Sequence, residues 1–502
     1  MSPLAGHVEF KKLHDSLDVS SAESIERYAV HLEGMTFKEV LELGIEPEDY
    51  NPKNYGDKHY KGGMGNLLEE RYFGYPANSD DEPDFPKAGV ELKATPIDIK
   101  KNGDPSAGER LVLTMIPYDK PIAGDFFDSH LWKKCKLILL VFYNRDRNIG
   151  AYDQQITHVK MFTPPEEDLR IIADDYKTIV SYIQSGRADE LSESLTTYLG
   201  AATKGATADK SWVPQYYPFI DENGNVVHRQ AKKRSFSFKR QYMDYVLHHY
   251  VLEESTEVEK ILAPGALAHE TFEQHITNLI NSFVGMSDRE LAAHFNMPYT
   301  GNKAQWNQLV FRILGIKGNQ AEEFVKAGIT VKTVRIEENG NIKENVSLPP
   351  FKFKELAQET WETSRLREYF EETRFFFVAF KKCGGNYQLA GCVFWNMPIS
   401  DIEGDLKRCW AETQSTIRDG VEILPETWGT GIRYMNNLPG ESQNSISHVR
   451  PHASQAAYRF LDGTEIGDPD KNANELPDGR WMTTQSFWLN RGYIQSILCD
   501  FL

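Results

Sequence analysis

The sequence predicts an α/β protein made of two homologous domains, each a mixed β-sheet flanked by helices. Three observations predict it. The chain has 502 residues, enough for two to four domains at roughly 150 residues each. Hydrophobic residues make up 40% and charged residues 26%, a balance that suits a globular protein with ordinary cores. Five segments of the first half recur in the same order in the second half, at offsets from 234 to 251 residues, which marks one long duplication.

The elements follow in order. GMTFKEVLELGI (34–45) resembles GMSDRELAAHFNM (285–297). Thr36 precedes Glu39 by three and Ser287 precedes Glu290 by three, so each copy opens a helix with a capping box. DFPKAGVELKATPI (84–97) resembles EFVKAGITVKTVRI (323–336), and both read as strand pairs. In the first, Val90, Leu92 and Ala94 alternate with Glu91, Lys93 and Thr95, the period of a strand. LILLVFY (137–143) and FFFVAF (375–380) read as buried central strands. These runs are far shorter than the roughly 20 residues that span a bilayer. ADDYKTIVSYIQSG (173–186) and KRCWAETQSTIRDG (407–420) read as helices, and FSFKRQYMDYVL (236–247) and FWLNRGYIQSIL (487–498) as a last strand and helix. The halves are residues 1–248 and 276–502. The 249–275 segment between them is acidic and carries Pro264-Gly265, as a linker would.

Lys and Arg number 56 against 73 Asp and Glu, a net charge of −17. This excludes a uniformly basic surface but leaves room for a local basic groove. The five cysteines are odd in number and no two have C-x-x-C spacing, which argues against a disulfide framework and a four-cysteine zinc site. A reducing cytoplasm fits that usage. The N-terminal MSPLAGHVEFKKLHD has early charges and no apolar stretch, unlike a signal peptide.

The sharpest chemical signal is Pro83-Asp84, six residues, then Glu91-Leu92-Lys93. Glu91 and Lys93 share one strand face. A turn over Pro86–Gly89 can fold Asp84 back beside Glu91. Two adjacent carboxylates repel unless a cation lies between them. Together with a backbone carbonyl and waters they suit Mg²⁺, and Lys93 beside them can stabilise a charged phosphorane. Such a string arises by accident about 0.1–0.2 times per chain, so alone it reads more readily as a charged, exposed strand. The duplication changes the balance. In the second half Asp84 aligns with Glu323, Glu91 with Thr330 and Lys93 with Lys332, inside the same F-x-K-A-G frame. Upstream, KGGMGNLLEERYFG (61–74) offers Glu69 or Glu70 as a third acid, where the second copy has Val310 and Phe311. One competent site and one degenerate copy is the reading.

These residues carry a resemblance. The K-G-x-x-G-x-L-L-E string and the G-V-E-L-K segment look like the MutH-like branch of the PD-(D/E)xK nucleases. More closely, the whole chain resembles type II restriction endonucleases with a doubled MutH (restriction-endonuclease-like) fold that cut at GATC. The likeness extends to ERLVLTMIPY (109–118), LSESLTTYLGAATKGA (191–206), SHVRPHA (447–453) and LPDGRWMTTQSFWLN (476–490). It implies catalytic roles for Glu69, Asp84, Glu91 and Lys93, with Glu69 favoured over Glu70. Asp84, Glu91 and the Leu92 carbonyl would hold Mg²⁺. It also implies a catalytic first half and a second half that binds a second GATC copy as a type IIE-like effector.

DNA-contact candidates follow. RQAKKRSFSFKR (229–240) concentrates six positive charges in twelve residues, of which Lys232, Lys233, Arg234, Lys239 and Arg240 are offered to phosphates. Lys61 and Gly62 match a DNA-contacting pair of the mismatch-repair relatives. The loop that reads bases in the family aligns with 201–205 and 449–453. Lys204 in the first and Arg450, Pro451 and His452 in the second are therefore the base-reading candidates, Arg and Lys being suited to guanine O6 and N7. Where the methyl-directed nickase has a tyrosine, this chain has Ser237 and Trp488. The expected partner is double-stranded DNA with one or two GATC copies, met by a transient dimer or by sequential nicks, with no membrane. The alternatives are a methyl-directed GATC nickase and a non-catalytic, two-headed GATC-binding protein.

Overall fold

The computed structural model describes residues 10–43, 54–56, 63–77, 82–100, 102–203, 212–254, 258–342, 344–429 and 431–501. The chain divides into two compact units. One comprises 1–258, 262–267 and 322–328, the other 259–261, 268–321 and 329–502. Among the described residues no helix is long and apolar enough to cross a membrane.

In the first unit the strand Glu91–Ile99 lies parallel to Ile138–Asn144, with Glu91 opposite Ile138 and Lys93 opposite Leu140. Pro105–Ala107 and Ile156–Phe162 extend this sheet antiparallel at its two edges. A second sheet joins Leu111–Met115, Arg234–Phe238 and Leu199–Thr203. Helices Ala22–Ala29, Phe37–Leu43 and Gly63–Arg71 send Ile25, Phe37, Val40, Leu67 and Leu68 into one core with Leu92, Leu139 and Val141 of the strands. That shared core fixes the helix bearing Glu69 against the strand bearing Glu91.

The second unit repeats the pattern. Ile329–Ile336 runs parallel to Arg374–Cys383, with Thr330 opposite Phe375 and Lys332 opposite Phe377. Val346–Phe351, Gln485–Leu489 and Ser447–Pro451 form its second sheet. Both capping boxes form. The Thr36 and Ser287 N–H groups donate to Glu39 and Glu290 at 2.7 and 2.8 Å, and the Glu N–H groups donate back to the hydroxyls at 3.2 Å.

The KAG segments depart from the expected strand pairs. In the first unit residues 84–90 form a tight turn, closed by Gly89 N–H donating to the Phe85 carbonyl at 2.8 Å and by the Phe85–Val90 bridge. Its counterpart is the helix Glu322–Ala327. Pro86 disfavours a helix in one copy, whereas Val325 stands at that position in the other. Lys326 adds an i,i+4 pair with Glu322 at 3.0 Å. The glycine is kept in both because both need a left-handed residue there: φ is +69° at Gly89 and +66° at Gly328. Lys326 also bonds buried Asp168 at 2.9 Å, and Asp168 accepts from the Tyr242 hydroxyl at 3.0 Å.

Candidate active site

The turn at 84–90 and the strand that follows bring three predicted residues together. Asp84 Oδ2 accepts the Leu92 N–H at 2.8 Å, which pins the carboxylate to the strand start. Lys93 Nζ lies 2.6 Å from Glu91 Oε1, as two neighbours on one strand face should. The Glu91 side chain is only 2% exposed. A buried carboxylate needs a charged partner, and a second one is present: Lys134 Nζ stands 3.3 Å from Glu91 Oε2. Sequence reasoning missed Lys134. It sits in the last turn of the short helix His130–Cys135, some forty residues beyond the motif and with no spacing to announce it. Only the parallel pairing of the two central strands carries it there.

Helix Gly63–Arg71 buries both Glu69 and Glu70, but they face different partners. Glu70 accepts from the Tyr55 hydroxyl and from the Ala77 N–H. Glu69 feels the charges of Asp84, Lys93 and Glu91. Burial first, then Asp84, pushes the Glu69 carboxyl up to about 8. Burial, then Glu91, pushes Asp84 up to about 6. The Tyr75 hydroxyl is buried nearby and has no hydrogen-bond partner among the described residues. Its pKa is raised by burial and by the field of Asp84, Glu69 and Glu91.

Buried Glu69 and Glu91 and half-buried Asp84 thus share two lysines, and burial together with mutual repulsion raises the pKa values of Glu69 and Asp84. That donor set fits a hard divalent cation held by one or two carboxylates, a backbone carbonyl and waters. Among the described residues no group of three His, Cys, Asp or Glu side chains forms a ready-made cage, so carbonyl and water ligands would have to complete the shell.

The second copy lacks this set. Val310 and Phe311 are buried apolar residues where Glu69 and Glu70 stand. Glu323 accepts the Leu262 N–H at 2.9 Å. Thr330 replaces Glu91, and Lys332 remains.

The DNA-contact candidates divide. Lys233 and Arg240 are exposed and Lys232 is half-buried, its Nζ 5.6 Å from the Trp212 ring centre. Arg234 and Lys239 correct the expectation that the whole run meets phosphates. Arg234 is buried and donates to the Ala201 carbonyl at 2.8 Å, and Lys239, also buried, donates to the Thr196 carbonyl. Strand alternation and the following helix turn these two inward. In the second unit Arg450 is exposed, its guanidinium 5.0 Å from the Trp488 ring centre. His452 lies 5.9 Å from the same ring and its Nδ1 is 3.0 Å from Ser486 Oγ. Pro451 closes the strand Ser447–Pro451, whose last two residues are exposed. Lys61, Gly62 and Lys204 lie outside the described residues.

Carboxylates and lysines thus gather at the start of a parallel strand pair. Residues 73–175 match the family model described as DNA mismatch repair enzyme MutH. The chain is 34% identical over 472 residues to the type II restriction enzyme Sau3AI of Staphylococcus aureus, covering 89% of this chain and 94% of that protein. It is 28% identical over 241 residues to the DNA mismatch repair protein MutH of Vibrio campbellii, covering 47% of this chain and 97% of that protein. The chain belongs to the MutH-like type II restriction enzymes, which are site-specific deoxyribonucleases.

Proposed function

We propose that this protein is an Mg²⁺-dependent restriction endonuclease that hydrolyses both strands of DNA at GATC. Residues 1–248 would be the catalytic domain, 249–275 the linker and 276–502 a domain that binds a second GATC copy as effector. The observation that carries the reading is the cluster of Glu69, Asp84, Glu91 and Lys93 in one half and its loss in the other. The resemblance to GATC-cutting enzymes supports the sequence specificity.

Asp84, Glu91 and the Leu92 carbonyl would hold the ion. Bound there, it supplies Lewis-acid polarisation of the scissile phosphate and a more acidic attacking water. The chain's own residues do the rest. The Leu92 N–H fixes the Asp84 carboxylate. Lys93, anchored by Glu91, donates to a non-bridging phosphate oxygen as charge builds on phosphorus. Glu69 closes the site from the helix side. Exposed Lys233 and Arg240, with Lys232, contact the DNA backbone. Arg450, Pro451 and His452 read the second copy, as Lys204, with Lys61 and Gly62, would read the first. One site per chain cuts both strands either by transient pairing of two chains on the two-fold sequence or by two sequential nicks.

The test is a plasmid of known sequence incubated with Mg²⁺, followed by sequencing of the ends. Double-strand ends at GATC are expected, and both Asp84→Ala and Lys93→Ala should abolish them. Undiminished cutting by either variant removes the assignment, and open circles as the end product would turn the reading to a nickase.

A further inference from the structure

The degenerate copy retains a cleft, and its charge is inverted. In the second unit Val331–Arg335 of the first strand, the first turns of helix Lys303–Ile313 and the segment Glu344–Ser347 line a cavity of about 460 Å³. Lys332, the counterpart of Lys93, lines it and is half-buried. The carboxylates that accompany Lys93 are gone: Thr330 stands for Glu91 and Val310 stands for Glu69. Among the described residues no carboxylate pairs with Lys332 and no hydrogen bond reaches its ammonium. Burial, then the neighbouring Lys303, holds its pKa below the ordinary lysine value.

The rest of the lining does not restore balance. Lys303 and Arg335 are also cations. Glu344, the sole acid among the described lining residues, is shared, since it pairs with Arg335 and lies 3.7 Å from Lys303 Nζ. A half-buried ammonium without an anion is unfavourable to the folded state. It is explained when a ligand brings the missing negative charge. Asn307 and Ser347 add neutral hydrogen-bonding groups to the same lining, the mixture that oxyanions take.

We propose that this cleft is a phosphate site that takes a backbone phosphodiester of DNA, with Lys332 as its central donor. Loss of the carboxylates turned a cation-holding site into an anion-holding one on the same scaffold. The proposal rests on the reading of the second half as a DNA-binding domain, and it assigns the phosphate contact to the vestigial cleft rather than to the Arg450 strand alone.

Two measurements on the full chain test it. The first is thermal melting without divalent metal, in chloride and in inorganic phosphate at equal ionic strength. Phosphate should raise the wild-type melting temperature by a few degrees. Lys332→Gln should melt at or above wild type in chloride and gain little from phosphate, while Lys332→Arg keeps the gain. The second is binding of a short GATC duplex in Ca²⁺ over a salt series, read to two equivalents per chain. Lys332→Gln should weaken binding about tenfold and lower the slope of log K against log salt by about one, with Lys332→Arg within about twofold of wild type. Equal phosphate response and equal duplex affinity in wild type and Lys332→Gln would overturn the proposal. A lost phosphate response with unchanged duplex binding would make it a free-phosphate site and remove DNA. Cleavage of plasmids with one and two GATC copies judges the effector reading separately. Equal wild-type rates would sink that role and leave the salt-slope result to decide on Lys332.

Discussion

Lys134 Nζ lies 3.3 Å from the Glu91 carboxylate that Lys93 also holds, so the motif acid sits between two ammonium groups. Lys93 ends a three-residue string with Glu91, whereas Lys134 arrives from a separate helix. The pairing has a consequence for catalysis. With Lys134 removed, the almost fully buried Glu91 draws more strongly on Lys93, and Lys93 is less free to meet phosphate. Lys134→Met should therefore lower the cleavage rate about 10- to 100-fold, the range for losing a partner that orients a metal-binding carboxylate. Single-turnover cleavage of a GATC duplex would measure it. A rate within twofold of wild type would make Lys134 a bystander.

The raised Glu69 and Asp84 carboxyls make metal-free stability fall with pH. A carboxyl whose folded pKa exceeds its unfolded value binds its proton more tightly when folded. Its favourable contribution is present below the unfolded pKa, near 4.5 for Glu69, and is lost as pH rises toward about 8. Asp84 acts the same way between about 4 and 6. Without divalent metal, Glu69→Gln should melt a few degrees above wild type at pH 8.5–9 and close to it at pH 5, on the scale of a few degrees per kcal/mol for units of this size. Added Mg²⁺ should narrow or reverse the high-pH gap, because an ion stabilises the ionised wild-type set. Melting curves across pH with EDTA and with Mg²⁺ decide it, and a gap that is the same at both pH values would contradict the charge crowding.

Glu69 and Glu70 should separate cleanly by function. Glu69 faces the cluster, while Glu70 is spent on the Tyr55 hydroxyl and the Ala77 N–H. Glu69→Gln should cut at least about 100-fold more slowly, the order of loss for an active-site charge. Glu70→Gln should keep its rate within about tenfold and lose stability instead, since it weakens buried hydrogen bonds worth about 1–3 kcal/mol. Cleavage rates and melting temperatures of the two variants, taken together, test this split.

The pair also marks how far the sequence could be read. Two adjacent acids on a helix look alike until the packing of Leu67 and Leu68 fixes the helix rotation. Features set by neighbouring residues were legible: the strand face shared by Glu91 and Lys93, the turn that returns Asp84, and both capping boxes. Features that depended on distant chain were not. Lys134 needed the parallel pairing of two strands. Arg234 and Lys239 sat in a run whose charge pointed to solvent, yet the Ala201 and Thr196 carbonyls take them inward. The KAG frame was legible as a repeat, but the change from Pro86 to Val325 accompanies a turn in one copy and a helix in the other.

The Arg450 guanidinium lies 5.0 Å from the Trp488 ring centre at the exposed end of the strand Ser447–Pro451. An aromatic face beneath a guanidinium restrains its orientation while leaving its N–H groups free along the edge, which suits a bidentate contact to a guanine. Arg450→Ala should therefore remove base discrimination, and Trp488→Ala should weaken the same contact by loosening the side chain. A bidentate base contact is worth about 1–3 kcal/mol, which corresponds to roughly 5- to 150-fold in affinity for the second copy. The readout is the ratio of cleavage rates on plasmids with two and with one GATC. Arg450→Ala should drive that ratio toward one while sparing the one-site rate, and Trp488→Ala should fall between it and wild type. If both variants kept the wild-type ratio, the Arg450 strand would not be the reader of the second copy.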